Sequence, residues 1–243
     1  MKIISLNTWA GVVLEPLLNF FKQNNDIDIF CLQEIYYKAE GKTERHPTLD
    51  MKLDLFDRVE NVLKDTHVGY FRPAHKDYYG QAIFIKKGIS VEEEGDIFIY
   101  ENTSPKGRGG HSRNLQYIRL RVNGKAVLVC NLHGLWNGMG KTDTEDRLEQ
   151  GKRIRDFLAQ RTEYKIVVGD FNLNPDTESL SLAATGLKNL VKEFGITSTR
   201  TSFYDKAEKF ADYALVSPEI DIKEFKVLPD EVSDHSPLYL EFV

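Results

Sequence analysis

The 243-residue sequence predicts a mixed α/β protein in which helices pack on β-sheets. Short apolar runs rich in Ile, Val and Phe alternate along the chain with segments of helical periodicity. In addition, Val122-Asn123-Gly124-Lys125 carries the Asn-Gly signal of a tight hairpin, so the sheets must contain antiparallel pairs. Eight strands are expected, at Lys2–Leu6, Ile27–Leu32, Ala82–Lys86, Gln116–Val122, Ala126–Asn131, Lys165–Val168, Tyr213–Ser217 and Leu238–Phe242.

Helical periodicity appears in three segments between the strands. In the first, four apolar residues at positions i, i+3, i+4 and i+7 form one face: Leu14, Leu17, Leu18 and Phe21. Similar faces are expected from Leu55 to Leu63 and from Leu148 to Leu158. Four segments rich in Gly, Lys, Asp or Asn lack such periodicity and are predicted to be exposed loops: Lys38–His46, Arg72–Tyr79, Tyr100–Arg113 and Trp136–Asp143.

The composition is that of a folded globular protein. Hydrophobic residues make up 41% of the chain and aromatic residues 11%, which excludes a disordered protein. The formal net charge of −5 argues against a protein that coats nucleic acid by bulk positive charge. It leaves open an enzyme that binds phosphate at one local site.

Two features of the sequence bear on location. The chain opens with the first apolar run rather than with a secretory signal, and no stretch approaches the roughly 18 apolar residues of a membrane span. Cys31 and Cys130 each lie inside an apolar run, which predicts two buried, reduced thiols. We therefore expect a cytoplasmic monomer without a membrane span.

Polar residues stand at the ends of six predicted strands. Four apolar runs lead into such residues and two begin beside them: Asn7, Glu34, His133, Asp170-Phe171-Asn172, Asp212 and Asp234-His235. Because the start of an antiparallel strand lies at the same edge as the end of its neighbour, all of them can converge on one rim of the sheets. Since they come from both ends of the chain, we expect one domain over residues 1–243.

These side chains suit metal-assisted hydrolysis of a phosphate ester. Carboxylate and amide oxygens are hard ligands that favour Mg²⁺, with Mn²⁺ as a possible substitute. A carboxylate with an amide can hold and activate water, and imidazoles can donate to phosphoryl oxygens as negative charge builds. Each residue alone has an ordinary alternative, such as a turn at Asn7 or a solvated carboxylate at Glu34. The coincidence of all six positions favours a site.

The ordered set of motifs resembles the endonuclease/exonuclease/phosphatase superfamily, which includes deoxyribonuclease I and the abasic-site endonucleases. The resemblance rests on Leu6-Asn7-Thr8-Trp9, Leu32-Gln33-Glu34, Asn131-Leu132-His133, Gly169-Asp170-Phe171-Asn172, Asp212-Tyr213 and Ser233-Asp234-His235-Ser236-Pro237. It implies a four-layer α/β sandwich, with two mixed β-sheets packed face to face and flanked by helices. It also implies a divalent-metal phosphoesterase.

The resemblance also implies a role for each residue. Glu34 looks like the principal metal ligand, and Asn7 and Asp234 lie close to the metal. Asp170 resembles the residue that orients and deprotonates the attacking water, assisted by Asn172.

Three further residues complete the implied catalytic set. His235, paired with Asp212, looks like the phosphate-binding imidazole, and the neighbouring carboxylate is expected to raise its pKa. His133 resembles the second histidine of the deoxyribonuclease branch.

Candidate substrate contacts lie in the predicted loops. Arg113-Asn114-Leu115 resembles a segment of the tyrosyl-DNA phosphodiesterase branch, although His133 is followed here by Gly134 instead of the serine and arginine of that branch. Trp136 can stack on a base or a sugar, or simply cover the site. A basic set can steer a phosphate to the rim or form a solvated loop: Lys106, Arg108, His111 and Arg113.

The leading hypothesis is a Mg²⁺-dependent phosphodiesterase acting on DNA, another nucleic-acid-derived substrate or a phosphodiester small molecule. One alternative is a lipid headgroup phosphoesterase of the sphingomyelinase or inositol-phosphatase type, which the lack of an amphipathic hydrophobic hairpin disfavours. Another is a non-catalytic binding module, which should have lost at least one catalytic position. In this sequence none is lost.

Overall fold

The computed structural model describes residues 1–43, 46–102 and 110–243, and these ranges contain two six-stranded sheets and five α-helices. The strands are β1 (Lys2–Asn7), β2 (Ile29–Tyr36), β3 (His67–His75), β4 (Tyr79–Lys86), β5 (Val91–Tyr100), β6 (Arg113–Val122), β7 (Lys125–His133), β8 (Tyr164–Asp170), β9 (Lys188–Asn189), β10 (Asp212–Val216), β11 (Ile222–Val227) and β12 (Leu238–Phe242). The helices are α1 (Leu14–Gln23), α2 (Leu55–Leu63), α3 (Glu145–Ala159), α4 (Glu178–Ala183) and α5 (Leu190–Glu193).

Both sheets are mixed. The first has the strand order β11-β12-β1-β2-β4-β3, and the second has β5-β6-β7-β8-β10-β9. The pairs β1–β2 and β7–β8 are parallel, whereas the other pairs are antiparallel. The hairpin between β6 and β7 has Asn123 and Gly124 as its two loop residues, with φ of 51° and 80°. Positive φ at both positions is what the Asn-Gly signal predicts.

Both faces of the first sheet are buried. Ile3 and Cys31 face the second sheet, and Ile4 and Phe30 pack with α1 and α2 on the outer side. A strand covered on both faces reads as a continuous apolar run, which is why these strands were visible in the sequence. On the other side, α3 packs against α4 and β5. The predicted four-layer α/β sandwich is confirmed.

Four strands were missed and one predicted loop is wrong. The missed strands are β3, β5, β9 and β11, and all four lie at the edges of the two sheets. The segment Arg72–Tyr79, predicted to be an exposed loop, instead completes β3 and leads into β4, with Tyr78 and Tyr79 buried. Arg72 pairs with Glu94 of β5. An edge strand stabilised by ion pairs lacks the apolar alternation on which the prediction depended.

Cys31 and Cys130 are both buried and form no disulfide, as predicted. Burial raises the pKa of both thiols. They therefore act as small apolar residues of the core.

None of the helices in the described part of the chain combines the length and apolar character needed to cross a bilayer.

His67 gives the fold a pH dependence away from the predicted site. The ring is 3% exposed, and its Nε2 donates to the Ile27 carbonyl at 2.8 Å. Burial lowers the pKa of His67 from its ordinary value of 6.5, so below that pH the unfolded chain binds a proton that the folded chain does not. We expect the free energy of unfolding to fall on acidification below pH 6.5, and His67→Gln to reduce that slope in urea titrations. The exposed His46→Gln is the matched control, and equal slopes in both variants would contradict this account.

Candidate active site

One cavity opens at the rim where the strands with the predicted site residues end. The register places His133 opposite Asp170 in the β7–β8 pair, and Asp212 opposite Asp170 in the β8–β10 pair. The cavity has a volume of about 520 Å³. Eight of the predicted residues line it: Glu34, Arg113, His133, Trp136, Asp170, Asn172, Asp234 and His235. The expected convergence of the strand ends is therefore present.

Glu34 lies within a strand rather than at its end. β2 continues to Tyr36, and its pairing with β4 shifts register between Leu32 and Ile35. Inside this irregularity Glu34 has a φ of 58°, which residues other than glycine rarely adopt. A β-bulge re-aims a side chain, and here it directs a carboxylate into the cavity.

Asn7, the last residue of β1, links two carboxylates. Its Nδ2 donates to Glu34 Oε1 and to Asp170 Oδ2, each at 3.0 Å. Its Oδ1 accepts from the backbone N–H of Trp9 at 3.0 Å. The amide is fully buried, and it holds the two carboxylates close together in spite of their like charge.

Two imidazoles face the Asp170 carboxylate. His133 Nε2 lies 3.8 Å from Asp170 Oδ2 and 3.8 Å from Glu34 Oε1. His235 Nε2 lies 3.6 Å from the same Asp170 oxygen. On its other side His235 Nδ1 donates to the Asp212 carboxylate at 2.9 Å, which fixes the orientation of the ring.

Burial dominates the protonation of these groups. It raises the pKa of Glu34 to about 7, with the Asp234 charge acting in the same direction. It raises the pKa of Asp212 to about 6. It lowers the pKa of His235 to about 4, and the nearby Arg200 charge adds to the effect. The expectation of a raised His235 pKa is therefore wrong, because loss of hydration outweighs the charges of Asp170 and Asp234 that act to raise it.

The turn after β8 holds Asp170 and Asn172 together. The backbone N–H of Asn172 donates to Asp170 Oδ1 at 2.8 Å, and Asn172 Nδ2 donates to the Gly134 carbonyl at 3.3 Å. A Cβ on Gly134 would lie 2.3 Å from the Phe171 carbonyl oxygen, so this close approach requires glycine. The glycine after His133 thus allows the two loops of the site to touch.

Arg113 brings a positive charge to the cavity that no described carboxylate pairs with. It is the first residue of β6, and 5% of it is exposed. Its Nε donates to the Gly134 carbonyl at 3.0 Å, whereas Nη1 is buried without a hydrogen-bond partner among the described residues. A buried donor without a partner is costly, and a phosphoryl oxygen in the cavity would satisfy it.

The other two predicted substrate contacts differ in position. Trp136 is 37% exposed at the cavity, with Lys206 Nζ 5.5 Å from its ring centroid. Asn114 is fully buried outside the cavity lining, where its Oδ1 accepts from Gln81 at 2.8 Å. Successive strand residues face opposite sides, so Asn114 points away where Arg113 points in. The structure does not bring Asn114 to the site.

The predicted basic set is only partly described. Lys106 and Arg108 lie outside the described residues. His111 lines the cavity beside Arg113, and its ring stacks on that of His75 with centroids 4.2 Å apart. Two members of the set therefore reach the cavity.

Sequence reasoning missed several cavity residues, among them Lys141, Arg200 and Tyr204. Arg200 Nη1 lies 3.3 Å from Asp234 Oδ2, and its guanidinium carbon is 3.9 Å from the Tyr204 ring centroid. Lys141 belongs to the segment Trp136–Asp143, predicted to be exposed, yet only 2% of it is exposed. All three lie in irregular segments, where periodicity carries no signal.

The donor set of the cavity fits a hard divalent cation. Among the described residues, Asp170, Asp212 and His235 offer ligand atoms within 4.8 Å of one another. Asp170 and Asp234 both act on Glu34 as like charges that raise its pKa. A divalent cation would relieve this repulsion, and carboxylate oxygens are its preferred ligands. The set predicted from the sequence is a different one, Glu34 with Asn7 and Asp234 close to the metal, and its carboxylate and amide oxygens are also ligands that such a cation prefers.

The layer order is that of an α/β sandwich, and the sequence profile that the chain matches is that of a family of phosphoesterases. The chain belongs to the Endonuclease/Exonuclease/phosphatase family, whose sequence profile matches residues 4–235. Members of this family are metal-dependent. A comparison with curated protein sequences found no match to the chain.

Solved structures share the fold over the whole chain. An endonuclease/exonuclease/phosphatase family protein from Leptotrichia buccalis aligns with a TM-score of 0.73 at 19% identity, covering 100% of this chain and 99% of that one. The mannosyl-6-phosphatase of Bacteroides thetaiotaomicron gives 0.75 at 19% identity, with 100% and 99% coverage. Humanized D. rerio TDP2 gives 0.73 at 16% identity, with 100% and 98% coverage. At these identities the likeness shows the fold alone.

Proposed function

We propose that this protein is a divalent-metal-dependent phosphodiesterase that hydrolyses a phosphate ester by in-line attack of water, on DNA or another nucleic-acid-derived substrate. The position of Asp170 supports this function most directly. Its Oδ2 lies 3.0 Å from Asn7 Nδ2, 3.6 Å from His235 Nε2 and 3.8 Å from His133 Nε2. A base and two imidazoles around one point are what displacement at phosphorus requires.

Glu34 and Asp234 would hold the metal ion, and Asn7 would keep Glu34 in place. When bound, the ion supplies Lewis acidity to the scissile phosphate and orients it. Asp170 accepts the proton of the attacking water, while the backbone N–H of Asn172 fixes the other carboxylate oxygen at 2.8 Å. Asn172 therefore holds Oδ1 and Asn7 holds Oδ2, and the remaining lone pair of Oδ2 is the one that can accept from the water.

The imidazoles meet the charge that develops on the phosphoryl oxygens. His235 Nε2 donates to one oxygen while Asp212 holds Nδ1. The negative charge of the bound ester offsets the burial that lowers the pKa of His235. His133 Nε2 and Arg113 Nη1 are further donors on the other side of Asp170.

A nucleic-acid-derived substrate is supported by the cavity mouth. Trp136 is partly exposed there, and an indole can stack on a base of any sequence. With a net charge of −5, we expect modest and salt-sensitive affinity for long nucleic acid.

A substrate panel in Mg²⁺, Mn²⁺ or EDTA tests the proposed function. The panel contains plasmid DNA, abasic duplex, 5′-tyrosyl oligonucleotide, RNA, bis-p-nitrophenyl phosphate, sphingomyelin and mannose 6-phosphate. We expect diester hydrolysis with Mg²⁺ or Mn²⁺ and none in EDTA.

Each alternative has a distinct outcome in the same panel. Activity in EDTA would contradict the metal requirement. Cleavage of sphingomyelin alone would indicate a lipid phosphoesterase, and cleavage of mannose 6-phosphate alone would indicate a monoesterase. If every substrate stays intact, the result favours the non-catalytic binding module.

A further inference from the structure

Lys141 is a buried cation that the proposed mechanism does not use. It lies in the irregular segment between β7 and α3, and its side chain lines the cavity although only 2% of the residue is exposed. Lysine is rarely buried to this extent without a partner of opposite charge. No described carboxylate forms an ion pair with Lys141, so its charge is available to something else.

The chain holds the backbone of Lys141 in place with a second buried cation. Arg147 of α3 is fully buried and donates to the carbonyls on either side, Gly140 at 2.7 Å and Thr142 at 2.6 Å. The Lys141 carbonyl itself accepts from the backbone N–H of Asn174 at 2.8 Å. Burying a guanidinium costs free energy of desolvation. Here the hydrogen bonds of the buried guanidinium fix the backbone on both sides of Lys141.

The Lys141 ammonium has only neutral partners. Its Nζ donates to the Phe210 carbonyl at 2.9 Å and lies 5.4 Å from the Tyr204 ring centroid. An ammonium has three donors, so this arrangement leaves hydrogen-bonding capacity toward the cavity. Burial lowers the pKa of Lys141 to about 8, although the charges of Asp170, Asp212 and Glu208 act in the opposite direction.

A second cation shares the same tyrosine. The Arg200 guanidinium lies 3.9 Å from the Tyr204 ring centroid, and its charge acts against that of Lys141. Arg200 Nη1 pairs with Asp234 at 3.3 Å, but Nε is buried without a hydrogen-bond partner among the described residues. A buried lysine without an ion pair, beside an arginine with one buried donor unused, favours binding of an anion that both side chains can reach.

These cations are distinct from Arg113. Arg113 acts on Glu34 and His133, whereas Lys141 lies near Asp170 and Asp212. The two cations therefore face different carboxylates of the site, and the contacts of Arg113 do not account for Lys141.

We propose that Lys141 and Arg200 form a second anion-binding subsite of the cavity, which holds a further phosphate or carboxylate group of the substrate beside the scissile phosphate. This inference rests on the proposed function and narrows its substrate class to phosphate esters with a second negative group. In a nucleic acid that group is the neighbouring phosphate.

Matched chromogenic substrates test the subsite. Thymidine 5′-(p-nitrophenyl phosphate) carries the same scissile bond and leaving group with a 3′-hydroxyl, a 3′-phosphate or a 3′-hemisuccinate. We expect the 3′-phosphate compound to have a kcat/KM about tenfold higher than the 3′-hydroxyl compound, as a charge-assisted contact predicts. An equal gain with the 3′-hemisuccinate would mean that a carboxylate is accepted as well as a phosphate.

Substitutions assign the effect to Lys141. Lys141→Met should reduce the ratio of the two kcat/KM values to about one, and Lys141→Arg should retain part of it. Lys152→Met removes the same charge from the exposed face of α3 and should leave the ratio unchanged. A wild-type ratio near one, or a ratio that survives in Lys141→Met, overturns the proposal.

A binding measurement separates this proposal from the proposed function. Calorimetric titration with thymidine 3′,5′-bisphosphate and with thymidine 5′-monophosphate in Mg²⁺ should show about tenfold tighter binding of the bisphosphate, lost in Lys141→Met. If no substrate is hydrolysed but this preference is present, the subsite stands and the proposed activity fails. If hydrolysis occurs and both ligands bind equally, only the subsite fails.

Discussion

Asp170→Asn is expected to lower kcat about 10³-fold, because the amide cannot accept the proton of the attacking water. The substitution keeps the shape of the side chain, and its oxygen can still accept from the backbone N–H of Asn172. It also removes one of the like charges near Glu34. The amide nitrogen of the variant faces Asn7 Nδ2, which loses this acceptor, and the lost hydrogen bond offsets the relieved repulsion. In EDTA we therefore expect a free energy of unfolding close to that of the wild type.

Two measurements separate the effect on kcat from the effect on stability. Steady-state kinetics on the diester that the wild type hydrolyses fastest give kcat, and urea titrations give the free energy of unfolding. Asp176→Asn is the matched control, because Asp176 is exposed in the turn that follows the same strand. The control should keep wild-type kcat. If Asp170→Asn retains more than about a tenth of the wild-type kcat, Asp170 is not the base.

The strand ends made the site predictable. The apolar runs that end at Asn7 and His133 form central strands buried on both faces, so their ends are visible in the sequence and their register is fixed by packing. The parallel and antiparallel neighbours of β8 then place Asp170 between His133 and Asp212. Pattern and topology together are sufficient for this much of the site.

The remaining features depend on packing that no local pattern reports. Glu34 enters the cavity through a register shift inside β2, which apolar alternation does not reveal. Lys141 and Arg200 lie in irregular segments, and the backbone beside Lys141 is held by Arg147 from the first turn of α3. The pKa of His235 could not be inferred from its pairing with Asp212, since its direction is set by burial.

Backbone strain marks the same region. Among the described residues other than glycine, seven have a positive φ, and four of them surround the cavity: Trp9, Ala10, Glu34 and Asn172. Such conformations cost about 1–3 kcal/mol each and persist only where the surrounding structure imposes them. The two buried sheets supply that support, and the strained positions carry or adjoin groups that face the cavity.

Glu34→Gln is expected to abolish the stabilisation of the protein by Mg²⁺. At 100 times its dissociation constant, a bound ion should raise the Tm of the wild type by about 5 °C. An amide at position 34 offers a weaker oxygen and no charge, so the variant should show no Mg²⁺-dependent rise and no metal-dependent hydrolysis. Glu193→Gln, on the exposed side of α5, should behave like the wild type.

Without metal, Glu34→Gln should be more stable to unfolding than the wild type. Burial and the Asp234 charge raise the folded-state pKa of Glu34 to about 7, above its ordinary value of 4.5. The stability that protonated Glu34 contributes is present below pH 4.5 and is lost as the pH rises through 7. In EDTA at pH 8 we therefore expect the free energy of unfolding of Glu34→Gln to exceed that of the wild type by about 2 kcal/mol. This is less than the full pKa shift of Glu34 implies, because 27% of the side chain is exposed to solvent. Urea titrations at pH 5 and pH 8, with and without Mg²⁺, measure both effects. If the wild type is more stable than the variant in EDTA at pH 8, the Glu34 carboxylate is not destabilised by burial and by its charged neighbours.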